Sequence, residues 1–80
     1  MISEEEKNYL KIGYKQTMKA LLKKCNKVFI AEDCEDKIKN AVYDAALKSG
    51  TDVLYIATMQ ELGKLCEISL GASCAVIVNE

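Results

Sequence analysis

The sequence predicts an α/β layered sandwich, with helices covering both faces of a short sheet. Three observations point to it. Segments of helical apolar period alternate along the chain with short β-branched runs, an order that builds a sheet with helical covers. Half of the 80 residues are apolar, enough for one core in a domain spanning residues 1–80, near the lower size limit for such cores. Proline is absent and the four glycines read as element ends, so nothing interrupts the patterned segments.

The elements follow in order. Ser3 and Glu6 have capping-box spacing, with acids in the first turn where the helix dipole favours them; a short helix is expected through about Leu10. Ile12-Gly13 breaks it as a brief strand or turn. From Tyr14, the apolar residues Tyr14, Met18, Leu21 and Cys25 share one arc of a helix, and Lys15, Gln16, Lys19 and Lys23 take the opposite side. Residues 27–31, β-branched and aromatic, read as a buried strand that ends in the acidic loop 32–36. A second amphipathic helix runs to about Lys48, with Ile38, Ala41, Val42 and Ala45 on one face and Gly50 placed to stop it. Residues 52–57 form the next strand. Thr58 and Glu61 repeat the capping-box spacing and open a short helix with Met59, Leu62 and Leu65 inward. After the loop 67–71 comes a last strand, 74–78. Strand order is left open by this pattern.

Charge is unevenly placed. The chain carries 11 basic and 12 acidic residues, a formal net charge of −1. Yet residues 7–31 hold seven lysines (7, 11, 15, 19, 23, 24 and 27) and no acid. A basic first third ahead of an acidic remainder points to a polyanion-binding face. Its bland counterpart is a solvated helix surface. Every basic residue is lysine, so phosphate contacts would be point-charge attractions without arginine's planar fork. If three to five lysines meet phosphates, log K falls against log salt with a slope of roughly 2 to 5.

Other chemistries find little support. Histidine is absent, and no grouping of Asp, Glu, Lys, Tyr or Cys stands out as a nucleophile with its base, so an enzyme is not expected. The cysteines at 25, 34, 66 and 74 lack Cys-x-x-Cys spacing and read as free thiols packed like small hydrophobes, Cys34 being the one expected at the surface. The acidic loop 32–36 lacks an EF-hand's glycine and distal glutamate; its acids are expected to cap the following helix. No metal, cofactor or small-molecule substrate is expected. The longest apolar run, ending at Val78, is far too short to span a bilayer, and residues 1–6 lack the layout of a signal peptide. The expectation is a soluble cytoplasmic protein, most simply a monomer.

Three ordered segments carry a resemblance. They are Gly13-Tyr14-Lys15-Gln16-Thr17-Met18-Lys19, then Ile30-Ala31-Glu32-Asp33, then the stretch from Glu61 through Gly71-Ala72. Together they resemble the kink-turn-binding ribosomal protein superfamily that includes ribosomal proteins L-seven-Ae and L-thirty-e, and most of all its small bacterial members. The resemblance implies a three-layer α/β/α sandwich with a short mixed four-stranded sheet. It also implies binding to structured RNA, a kink-turn or ribosomal RNA, where tandem sheared G·A pairs stabilise a sharp bend. In the archaeal and eukaryotic pattern the helix opens Gly-x-Asn-Glu, with Lys three residues on. Gly13 and Lys19 match it, while Lys15 replaces Asn and Gln16 replaces Glu, a pair similar to the bacterial branch. A lysine can donate to guanine O6 and N7, and a glutamine amide offers both donor and acceptor without the carboxylate's charge-assisted bonds. The RNA-binding residues implied are Gly13, Lys15, Gln16, Lys19, Asp33, Ile68, Ser69 and Leu70. Gly13 lets the backbone approach, and the loop around Ser69 packs on an extruded base. Other relatives of this fold are protein–protein interaction modules, and that alternative remains open if Lys15-Gln16 marks a loss of RNA binding.

Overall fold

The computed structural model describes residues 2–79. Eight elements follow one another: α1 (Glu4–Lys7), β1 (Leu10–Ile12), α2 (Tyr14–Ala20), β2 (Lys27–Ala31), α3 (Asp36–Ser49), β3 (Asp52–Ile56), α4 (Met59–Leu65) and β4 (Cys74–Ile77). The expected capping box opens α1: the Ser3 hydroxyl accepts from the Glu6 amide, and Glu6 accepts from the Ser3 amide, both at 3.1 Å. That helix is shorter than its pattern implied. Leu10 leaves it to pair with Ile77, and the Val78 amide donates to the Tyr9 carbonyl at 2.9 Å, so the open edge of β4 captures the chain as β1.

The four strands form one mixed sheet in the order β1-β4-β2-β3. β4 runs antiparallel to both β1 and β2, while β2 and β3 are parallel. Every residue of β4, and residues 28–31 of β2, is buried. Since alternate strand residues point to opposite faces, both faces of these central strands must be covered. Helix α2 lies on β1 and β4 and touches α3, which covers β2 and β3; α4 covers β2, β3 and β4 from the other side. This is the three-layer α/β/α sandwich. Among the described residues, no helix is long and apolar enough to cross a membrane.

Several expectations are corrected in the packing. The inner face of α2 centres on Thr17 and Leu21, with Tyr14 39% exposed, because the helix is rotated toward its threonine. Cys34 is buried, not exposed: its amide turns back onto the Ala31 carbonyl and tucks the thiol under the loop. Burial pushes the Cys34 thiol pKa up, as it does for Cys25 and Cys66. Glycine 63 lies inside α4 and is no element end, whereas Gly50 closes α3 with φ +74° as expected. Met59, expected inward on α4, is 36% exposed beside the start of that helix.

Candidate nucleic-acid interface

Strand direction gathers the site. β1 and β2 both run against β4, and β3 runs with β2, so the C-terminal ends of β1, β2 and β3 meet the N-terminal end of β4 at one end of the sheet. Hydrogen bonds lace this end together. The Gly13 amide donates to the Cys74 carbonyl at 2.9 Å, and the Ala31 amide to the Ser73 carbonyl at 2.9 Å. The Met59 amide donates to the Asp33 carboxylate at 2.7 Å, and the Ala72 amide to the Met59 carbonyl at 3.0 Å. Gly13, Asp33 and the loop 67–71, distant in sequence, therefore share one rim.

Gly13 precedes α2 with φ +100° and ψ +162°, a backbone region that glycine alone adopts readily. A Cβ there would meet nothing within 4 Å. Its requirement is thus conformational: the bend at Gly13 turns β1 into α2 and sets Lys15 and Gln16 on the helix's first turn, both exposed. Lys19 stands one turn on, also exposed.

Asp33 does different work from the helix-capping role expected of its loop. α3 has no side-chain cap at Glu35; the Asp33 carboxylate instead accepts from the first amide of α4, 26 residues away. Thr58 supplies the other cap of α4, its hydroxyl accepting from the Glu61 amide at 3.0 Å. Asp33 consequently anchors the element that carries the third segment.

That segment folds back along α4. The Ile68 amide donates to the Gly63 carbonyl at 3.0 Å, and Glu67 adopts φ +59° to make the reversal. A Cβ on Gly63 would collide with the Leu70 carbonyl oxygen, and one on Gly71 would press on Met59 at 3.3 Å. With the loop held this way, Ile68 and Leu70 are 37% and 76% exposed and Ser69 is exposed between them. Gly63 and Met59 are the residues that sequence reading missed here. A glycine inside a helical pattern, where it costs stability unless something packs close, was the available signal.

Ion pairing sorts the basic window. Lys7 pairs with Glu4 and Glu67, and Lys27 with Glu6 at 3.3 Å. The hydrogen bond from Ser3, helped by Lys27, holds the Glu6 carboxyl below its ordinary range. Among the described residues, Lys11, Lys15, Lys19, Lys23 and Lys24 have no acidic partner. All five are exposed.

The sequence model of the ribosomal protein L7Ae/L30e/S12e/Gadd45 family matches residues 2–80. The chain belongs to that family. Among curated relatives, an RNA-binding protein of Caldanaerobacter subterraneus subsp. tengcongensis is 41% identical over 68 residues, spanning 84% of this chain and 83% of its own. RNA-binding protein YbxF of Geobacillus stearothermophilus is 37% identical over 69 residues, or 85% of this chain and 84% of its own. Among solved structures, the 15.5kD RNA binding protein of Giardia lamblia superposes with a TM-score of 0.77 at 23% identity. That match covers 95% of this chain and 67% of the other, and shows a shared fold.

Proposed function

We propose that this family member is a non-catalytic RNA-binding protein that recognises and stabilises a kink-turn. The observation that carries the reading is the meeting of three segments on one rim of the sheet, beside a face of unpaired lysines. The relatives' description as RNA-binding proteins supports the class of ligand. Lys15, Gln16 and Lys19 address guanine edges and nearby phosphates, with Gly13 fixing the approach of α2. Ile68 and Leu70 present aliphatic surface to an unstacked base, and Ser69 a hydroxyl. Asp33 acts by holding α4 and its loop in place.

The mechanism is a population shift. A ligand that binds only the bent RNA state draws the RNA into it by as much as its differential affinity for bent over extended forms. A cytoplasmic monomer of this kind would serve on the ribosome, in its assembly, or on a structured regulatory RNA. The test is a titration against a short duplex carrying a kink-turn and against the same duplex with both G·A pairs replaced by Watson–Crick pairs. Tight binding to the first and much weaker binding to the second is the expected result. Equal, steeply salt-dependent binding to both would reduce the surface to an electrostatic one. Absence of binding to either would turn the search to protein partners.

A further inference from the structure

The unpaired lysines do not stop at the rim. Lys11, Gln16, Lys19, Ala20 and Val78 line a shallow cleft of about 270 Å³ where α2 meets β1 and the end of β4. Directly beyond it lies a second, of about 420 Å³, bounded by Lys19, Leu22, Lys23, Lys24 and Val78 among others. The two share Lys19, Ala20 and Val78 and so lie side by side, neighbouring parts of one surface trough. It begins at Gln16, on the rim, and ends in the turn that precedes β2.

The far end of this trough is firmly held. The Cys25 amide donates to the Thr51 hydroxyl at 2.9 Å, the Asn26 amide to the Ile77 carbonyl at 2.9 Å, and the Asn79 side-chain amide to the Lys24 carbonyl at 3.0 Å. On that pinned turn Lys23 and Lys24 are exposed without acidic partners among the described residues. Leu22 between Lys19 and Lys23 is 85% exposed, with no packing among the described residues to explain it. Aliphatic surface of Ala20, Leu22 and Val78 set among lysine side chains suits a sugar–phosphate backbone. The riboses offer carbon faces and the flanking phosphates offer charge.

Resting on the RNA-binding reading above, we propose that Lys11, Leu22, Lys23 and Lys24 form a second contact surface that grips the backbone of a helical arm flanking the bend. The two surfaces divide the work. The rim carries shape selectivity, while the trough adds affinity that is blind to sequence and to the bend. The shared Lys19, which the RNA-binding reading places against guanine edges and phosphates, favours RNA over an acidic protein segment as the occupant, since one ligand could lie across both. Helix α2, seven residues and so about 10 Å long, sets the minimum reach from the rim to the turn, enough to require arm beyond the bend itself.

The test uses the full chain and four RNAs: the kink-turn duplex and its G·A-replaced control, each with a long flanking arm and with that arm cut back by about half a helical turn. The Lys23→Ala/Lys24→Ala variant is compared with wild type, with Leu22→Ser, and with Lys48→Ala, an α3 lysine paired with Asp44, as control. Melting curves verify that each variant is folded, as expected for exposed positions. The double variant is expected to lose roughly tenfold affinity at low salt for both long-arm RNAs and to lower the salt slope by about 1.4–1.8, at ~0.7–0.9 per lost contact. It should leave the kink-turn-to-control ratio unchanged and no longer sense arm length. Leu22→Ser should weaken binding without changing the slope, and Lys48→Ala should do nothing. Wild-type affinity, slope and arm dependence in the double variant would overturn the proposal, whatever the kink-turn ratio. A wild-type ratio of one with the double variant still lowering slope and affinity would instead defeat kink-turn selectivity and leave the grip standing. A wild type that binds none of the four RNAs overturns both.

Discussion

Thr17 has no exposed surface, yet its hydroxyl oxygen finds no hydrogen-bond partner among the described residues. A buried hydroxyl left unpaired forfeits its hydration, a loss of about 1–3 kcal/mol, whereas a methyl of the same shape would fill the space without that penalty. Thr17→Val should therefore stabilise the protein by about 1 kcal/mol. In a domain of this size that raises the melting temperature by roughly 4–8 °C. RNA affinity should not change, because the side chain faces the sheet and not the rim. A lower melting temperature would show that the hydroxyl is satisfied in solution, by a trapped water for instance. The same residue explains a misreading. Counting only apolar side chains put Tyr14 on the inner arc of α2, and a threonine that behaves as a small β-branched core residue is invisible to that count.

At the scale of elements, α4 with its returning loop is the unit whose placement depends on the rest of the chain. Its own caps are local, but the Asp33 carboxylate reaches it from the end of β2, and the Ala72 amide ties the loop's exit to Met59. Asp33→Ala should cost about 1 kcal/mol in thermal or urea melts, the usual worth of a lost N-terminal cap. It should also weaken kink-turn affinity without altering the salt slope. Asp33→Asn, which keeps an oxygen acceptor, should restore most of both. A direct role for Asp33 on RNA predicts the opposite separation, with affinity falling and stability unmoved. Most of this fold was legible in the sequence, since capping spacings, β-branched runs and the glycine after α3 each act over a few residues. What escaped was non-local. The strand order, the edge of β4 that shortens α1, the anchoring of α4 by Asp33 and the neutralising of Lys7 and Lys27 all depend on which distant residues become neighbours. Gly13, Lys15, Gln16 and Lys19 were expected at a site only through the resemblance their motif carries; Gly63 could be read only once Leu70 is known to lie against it.

For the molecule as a whole, the four free cysteines report on the integrity of a single core. Cys25, Cys34, Cys66 and Cys74 lie in one cluster with the central strands, all at 8% exposure or less. Placing Cys34 at the surface on the strength of its acidic neighbours failed because loop charge says where the polar side chains point, not the thiol between them. Burial shields these thiols from reagents, and for Cys25, Cys34 and Cys66 it also disfavours the thiolate, the form that reacts. Modification by an aromatic disulfide reagent should therefore need the fold to open. In a small cooperative domain that opening is global, so the thiols should react together at one slow rate that climbs with urea. A ligand that binds only the native state lowers the open population by the factor 1 + [L]/Kd. Kink-turn RNA at about 100 times its Kd should then slow all four reactions roughly a hundredfold, and its G·A-replaced control at the same concentration should slow them far less. The rates would be read by mass spectrometry of the partly labelled protein, resolved by peptide. Early labelling of Cys34 alone would show instead that the loop beyond β2 opens independently of the core, and with it the anchor that Asp33 provides for α4.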